Sequence, residues 1–142
     1  VIGYLDTSAF VPLLIAEPSS LSCRRFFDDA DTVVASRLMY VEAAAALAQA
    51  RRLDRLTGQL HRSAVELLDE FWTQFDLVEL DQAMVVRAAR LAEHFGLRGY
   101  DAVHCAAAES VADEELVAAT GDRQLLRAWS ELGLATYDTT VT

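Results

Sequence analysis

An α/β fold is what this sequence predicts: one domain spanning residues 1–142, with a central mostly parallel sheet of four or five strands flanked by helices on both faces. Three observations carry the expectation. Short apolar runs without period-two alternation recur along the chain, as strands buried on both faces require. Each is followed by a stretch with helical periodicity, and strands alternating with helices build parallel sheets. The length of 142 residues, 53% of them hydrophobic, suits a single substantial core.

The elements follow in order. Val1 to Leu5 reads as a buried strand, and Thr7 to Ala16 as a helix carrying Pro12 in its first turns. Glu17 and Pro18 break that helix and a second one follows. Thr32 to Ala35 is β-branched and apolar, the second strand, and Ser36 is placed to cap an Ala-rich helix running to about Leu53. After a turn at Asp54 to Thr57, Gln59 to Gln74 sets Leu60, Ala64, Leu67, Leu68, Phe71 and Phe75 on one helical face. Leu77 to Leu80 is the third strand, and Asp81 caps a helix reaching about Phe95. Gly96 and Gly99 bracket a turn before a helix from Tyr100 to about Val111. Leu116 to Thr120 is the fourth strand. Gly121, Asp122, a helix to about Leu132 and a short strand at Leu134 to Tyr137 complete the pattern.

Composition excludes several chemistries. All 12 basic residues are Arg and none is Lys, which removes phosphate-loop nucleotide binding, lysine Schiff-base chemistry and receiver-domain signalling. A net charge of −10 opposes loose attraction to nucleic acid, whose phosphates reward cations. Arginine clusters at Arg24 and Arg25, at Arg51, Arg52 and Arg55, and at Arg87 and Arg90 are candidate phosphate guides or plain solvated faces. Cys23 and Cys105 stand far apart in helical contexts, which suggests two buried thiols in a reducing cytoplasm. No apolar run is long enough for a bilayer, and the N-terminal run lacks a basic leader; no membrane association and no secretory signal are expected.

Four carboxylates, Asp6, Glu42, Asp101 and Asp122, sit in or cap apolar segments. Glu42 has Leu38, Met39, Ala45 and Ala46 as its helical neighbours, so its side chain is expected on the buried stripe. A buried carboxylate must be paired, neutralised or bound to metal. Asp6, Asp101 and Asp122 each also have an ordinary use as helix caps. If the four converge, each pair repels by about 4 kcal/mol at ~4 Å and an effective dielectric of ~20. Oxygen ligands of that kind suit a hard cation, Mg²⁺ or Mn²⁺.

The segments Tyr4-Leu5-Asp6-Thr7-Ser8, Ser36 to Glu42, Leu97 to His104 and Thr120 to Leu125 resemble, in that order, the four signature blocks of PIN domains. The chain is most similar to the VapC-type toxins of bacterial toxin-antitoxin pairs, over essentially its whole length. The resemblance implies a Mg²⁺-dependent endoribonuclease with an intact quartet. Asp6, Asp101 and Asp122 would be metal ligands, and Glu42 would act through a water or as base. Thr7, Ser8 and Thr120 would be hydroxyl supports. It further implies cleavage to a 5′ phosphate and a 3′ hydroxyl, a VapB-like antitoxin as partner, RNA as substrate and a homodimer.

His104 follows Asp101 by three residues and shares its helical face; a hydrogen-bonded core histidine is the expectation, ahead of a ligand or proton shuttle. His61 and His94 have no acidic motif around them. Trp72 and Trp129 are expected to pack between helices more than to stack on bases. The apolar faces of the helices after Ser36 and Thr57 are candidates for a dimer contact. Rival readings are a housekeeping PIN nuclease in RNA processing and a non-catalytic, metal-stabilised interaction module. A haloacid-dehalogenase phosphatase would need an acid two residues after Asp6, where Ser8 stands.

Overall fold

A computed structural model describes residues 1–141. Its sheet has five strands, β1 (Ile2–Leu5), β2 (Thr32–Ser36), β3 (Asp76–Val78), β4 (Leu116–Thr120) and β5 (Ala135–Asp138). They are arranged β3-β2-β1-β4-β5 and every pairing is parallel. Between them run α1 (Thr7–Phe10), α2 (Ser20–Asp29), α3 (Met39–Arg52), α4 (Gly58–Trp72), α5 (Gln82–Phe95), α6 (Gly99–Ser110) and α7 (Arg123–Glu131).

Both faces of the sheet are covered, which is why the central strands read as unbroken apolar runs. On one face α5, α6 and α7 bury Leu91, Ala102, Ala106, Leu125 and Trp129 against Tyr4, Val34 and Ala118. The other holds Phe10, Met39, Leu47, Leu68 and Phe71 from α1, α3 and α4 against Leu5, Val33 and Ala35. Gly3 is small by necessity: a Cβ there would lie 2.8 Å from a ring carbon of Phe26. Trp129 is buried edge-on to Tyr4, and Trp72 packs on Tyr40 and Phe75, so both tryptophans serve the core as expected.

Four local expectations change. The first helix closes at Phe10 and passes into a 3-10 turn at Val11–Leu13, because Pro12 has no N–H to continue the α-helical ladder. Ser36 ends β2 instead of capping α3; its hydroxyl accepts the Leu38 N–H at 3.2 Å, and Leu38 occupies the cap position. The third strand is shorter than expected, beginning one residue earlier and ending two earlier, at Asp76–Val78, set by pairing of Val34, Ala35 and Ser36 with those residues. Glu42 is at the margin of the buried stripe of α3, which runs through Met39, Ala43, Leu47 and Ala50, while Ala45 is exposed.

The chain order reverses at β1. From there it moves outward to β2 and β3, then crosses back to β4 on the other side of β1 and on to β5. In open parallel sheets that switch point leaves a crevice beyond the carboxyl ends of the two strands. Register brings Leu5 level with Ala119, so Asp6 and Thr120 meet at the mouth of that crevice.

Candidate active site

Asp6 is the most deeply placed carboxylate of the quartet, 3% exposed at the end of β1. It caps α1: Oδ1 accepts the Ala9 N–H at 2.9 Å. The Ser8 hydroxyl donates to both of its oxygens, at 2.8 and 3.0 Å, and the Thr120 hydroxyl donates to Oδ2. Burial pushes the Asp6 carboxyl above its ordinary value, opposed by the positive charge His104 carries when its ring is protonated and by these donors.

Thr120 and Ser8 sew β1 to β4. Thr120 Oγ1 accepts the Asp122 N–H at 3.0 Å and lies 3.2 Å from Ser8 Oγ, which itself accepts the Gly121 N–H at 2.8 Å. Asp122 caps α7, its Oδ1 accepting the Leu125 N–H at 3.0 Å. Capping is therefore a genuine use of both Asp6 and Asp122, and it aims their carboxylates at the crevice. Asp101 is different: α6 begins at Gly99 behind an Arg98 cap position, so Asp101 lies inside the first turn and caps nothing. Burial raises its pKa first, and the negative charge of Asp122 raises it further, which places these two carboxylates in one electrostatic field. Arg98 Nε stands 3.5 Å from Asp101 Oδ2.

Glu42, in the first turn of α3, is held from two sides. Its Oε1 accepts the Thr7 hydroxyl at 2.8 Å and lies 2.7 Å from His104 Nε2. His104 is 2% exposed, and its Nδ1 lies 2.8 Å from the Tyr4 hydroxyl. A groove of about 560 Å³ opens beside Glu42 and Asp101, lined also by Leu38, Leu80, Arg98 and Tyr100. A second, of about 650 Å³, reaches Ser8 from the side of Pro12, Leu21 and Arg25.

Thr120 thus joins the Asp6 carboxylate to the backbone of Asp122. Thr7 links Glu42 to the same loop, and Asp101 approaches from α6. The donors are all oxygens, as a hard cation requires. Among the described residues no three His, Cys, Asp or Glu side chains already stand close enough to hold a metal ion together. Tyr4 was not legible as a site residue, although it shares a strand face with Asp6 at period two. His104 is the buried, hydrogen-bonded histidine expected, and its partner is the quartet's Glu42.

A family model described as PIN domain matches residues 3–129. The chain belongs to the PIN-domain family. Ribonuclease VapC45 of Mycobacterium tuberculosis (strain CDC 1551 / Oshkosh) is 42% identical over 122 residues, covering 86% of this chain and 85% of the relative. The crystal structure of PAE2754 from Pyrobaculum aerophilum superposes with a TM-score of 0.71 at 26% identity, covering 96% of this PIN domain and 83% of that chain. A toxin-antitoxin complex from Klebsiella pneumoniae contains a chain of the same fold, with a TM-score of 0.64 at 14% identity and coverage of 96% and 98%. No helix among the described residues of this PIN domain is long and apolar enough to cross a membrane.

Proposed function

We propose that this PIN domain is a Mg²⁺-dependent endoribonuclease acting as the toxin of a toxin-antitoxin pair. What supports the reading is Thr120 tying Asp6 to the start of α7 at Asp122, Thr7 tying Glu42 to the same end of β1, and the charge of Asp122 felt at Asp101, in a chain 42% identical to a named ribonuclease of the VapC group. Asp6, Asp101 and Asp122 would hold the cation, Mg²⁺ or Mn²⁺ in its place, and Glu42 would reach it through a water. The cation would supply charge neutralisation at the scissile phosphate and acidify a water.

The protein's own residues account for the rest. Ser8, Thr120 and the Ala9 N–H fix the Asp6 carboxylate, and the α7 cap fixes Asp122. Glu42 takes the proton of the attacking water on Oε2, the oxygen left open by Thr7 and His104. The water oxygen bonds to phosphorus, the bond to the 3′ oxygen breaks, and that oxygen takes a proton from solvent water to leave as a hydroxyl, with a 5′ phosphate on the other fragment; Glu42 then returns its proton to solvent. Arg98, 84% exposed beside Asp101, is placed to meet the RNA backbone.

The toxin role rests on the VapC resemblance and on charge. A net charge of −10 with a carboxylate-lined crevice complements an arginine-bearing segment of a VapB-like antitoxin. Val41 and Leu60, more than half exposed on α3 and α4, support a homodimer through those helices; sedimentation as a monomer at micromolar concentration would refute it. The deciding experiment is cleavage of a total small-RNA pool by the wild type and by Asp6→Asn, each with Mg²⁺, Mn²⁺ or EDTA. Discrete cation-dependent cuts by the wild type alone are expected. Equal cutting by Asp6→Asn, or cutting in EDTA, would overturn the assignment.

A further inference from the structure

The least expected feature of the site is a buried chain of hydrogen bonds behind it. Tyr4 is fully buried on β1, and its hydroxyl lies 2.8 Å from His104 Nδ1. On the opposite side of the ring Nε2 lies 2.7 Å from Glu42 Oε1. With Glu42 as carboxylate and the ring neutral, the chemistry of the three groups assigns the hydrogens. An ionised Glu42 only accepts, so Nε2 must carry the hydrogen between them. In the neutral ring Nδ1 is then the acceptor, and the Tyr4 O–H is the donor that satisfies it.

We propose that His104 is a positioning residue for Glu42, locked by Tyr4 into the tautomer that donates from Nε2, and that it keeps Glu42 Oε2 turned toward the cation pocket. The inference rests on Glu42 belonging to a cation site. Its warrant is geometric. Glu42 enters on α3, at the margin of the buried stripe, through a side chain with three rotatable bonds. Two donors meeting on one oxygen, Thr7 from α1 at 2.8 Å and His104 from α6, leave the carboxylate one orientation. Thr7 alone would permit rotation about that single bond; a second donor on a different element removes it. The imidazole is 2% exposed, so no water can replace it as donor. Hydrogen-bond partners behind a metal-binding group commonly govern about 10–100-fold in metal affinity.

The test is Mn²⁺ affinity, followed by the electron paramagnetic resonance of free Mn²⁺, for wild type, His104→Leu, His104→Gln, Tyr4→Phe and Glu42→Gln, with thermal melts of each. His104→Leu should weaken Mn²⁺ binding about tenfold or more. His104→Gln, whose amide can donate from near the Nε2 position, should restore affinity to within about threefold of wild type. Tyr4→Phe loses one oxygen from an otherwise intact core and should fall between them, which keeps the test open should His104→Leu not fold. In cleavage assays kcat should fall with the RNA KM unchanged, a split that a purely structural histidine would not produce.

Wild-type Mn²⁺ affinity in folded His104→Leu, or in Tyr4→Phe, overturns the proposal. So does equal loss in the Gln and Leu variants, since packing and not donation would then be the cause. Unchanged Mn²⁺ binding in Glu42→Gln would instead remove the cation-site reading, and the positioning role with it.

Discussion

Thr120→Val tests whether the crevice is held together by a single hydroxyl. Thr120 is fully buried at the end of β4, and valine replaces its hydroxyl with a methyl of similar size. Besides the 3.2 Å contact to Ser8 Oγ, two bonds disappear. The donor to Asp6 Oδ2 is charge-assisted, and such bonds contribute about 1.5–3 kcal/mol. The Asp122 N–H loses its acceptor, and an unsatisfied buried group costs about 1–3 kcal/mol. Asp6 retains Ser8 and the Ala9 N–H, and Asp122 is only half-buried, so the lower part of the summed range applies, about 3 kcal/mol. With a urea m-value of about 2 kcal/mol/M, the midpoint should drop by about 1.5 M. Thermal melting should fall by about 10 °C for a chain of this size. Thr120→Ser keeps the hydroxyl and should lose only about 1 kcal/mol for the missing methyl. In an Asp6→Asn background the cost of Thr120→Val should shrink by about 1–2 kcal/mol, because the two side chains share one bond. If Thr120→Val unfolds within about 0.5 kcal/mol of wild type, the hydroxyl is not what joins the two strand ends, and the account of Asp6 fails with it.

Three further outcomes follow from the same geometry. The pKa values of Asp6 and Asp101 are raised in the fold, so the stability tied to them is complete below their unfolded values and is lost as pH rises through the folded ones. In EDTA the melting temperature of Asp6→Asn should therefore gain on wild type as pH climbs from the acid range to neutrality, and a flat difference would contradict it. Asp122→Asn should keep the α7 cap and unfold close to wild type, whereas Asp122→Ala should cost about 1 kcal/mol; urea titrations separate them, and equal losses would mean that charge and not capping matters there. Burial pushes the Cys105 thiol up to about 12 and raises that of Cys23, so neither should be alkylated by iodoacetamide at pH 8 in the native state, as intact mass would show.

The central strands and the order of elements were legible because burial on both faces leaves its mark in composition alone. Where the sequence misled, the cause was a tertiary contact. Glu42 has apolar neighbours on paper, yet the packing of α3 turns Met39, Ala43 and Leu47 inward and leaves Glu42 at the rim. Ser36 looks like a cap because it precedes a helix, but strand pairing with Val78 claims its backbone first. Asp101 has the composition of a cap, and the helix starts two residues earlier at Gly99. The acidic quartet is proposed from local motifs in the sequence, whereas the Tyr4–His104–Glu42 contact joins residues 62 and 100 positions apart and has no local signature.

The division of labour between the oxygens explains why capping and catalysis coexist in these residues. Asp122 spends Oδ1 on the α7 cap, Glu42 spends Oε1 on Thr7 and His104, and Asp101 offers Oδ2 to Arg98. Among the described residues their remaining oxygens accept nothing from the protein. A carboxylate has about four lone-pair sites, so committing one oxygen to a backbone N–H or a side chain orients the group without exhausting it. Asp6 is the exception, bonded through both oxygens, and it is also the most buried. It is best understood as the fixed corner of the proposed site, tied by Thr120 to the start of α7. Like charges brought to one end of a sheet repel unless a cation joins them. A fold that prepays the orientation of each carboxylate with a cap or a hydroxyl leaves the cation only the repulsion to overcome. That is a physical reason for Asp, Thr and Ser to crowd the ends of β1 and β4.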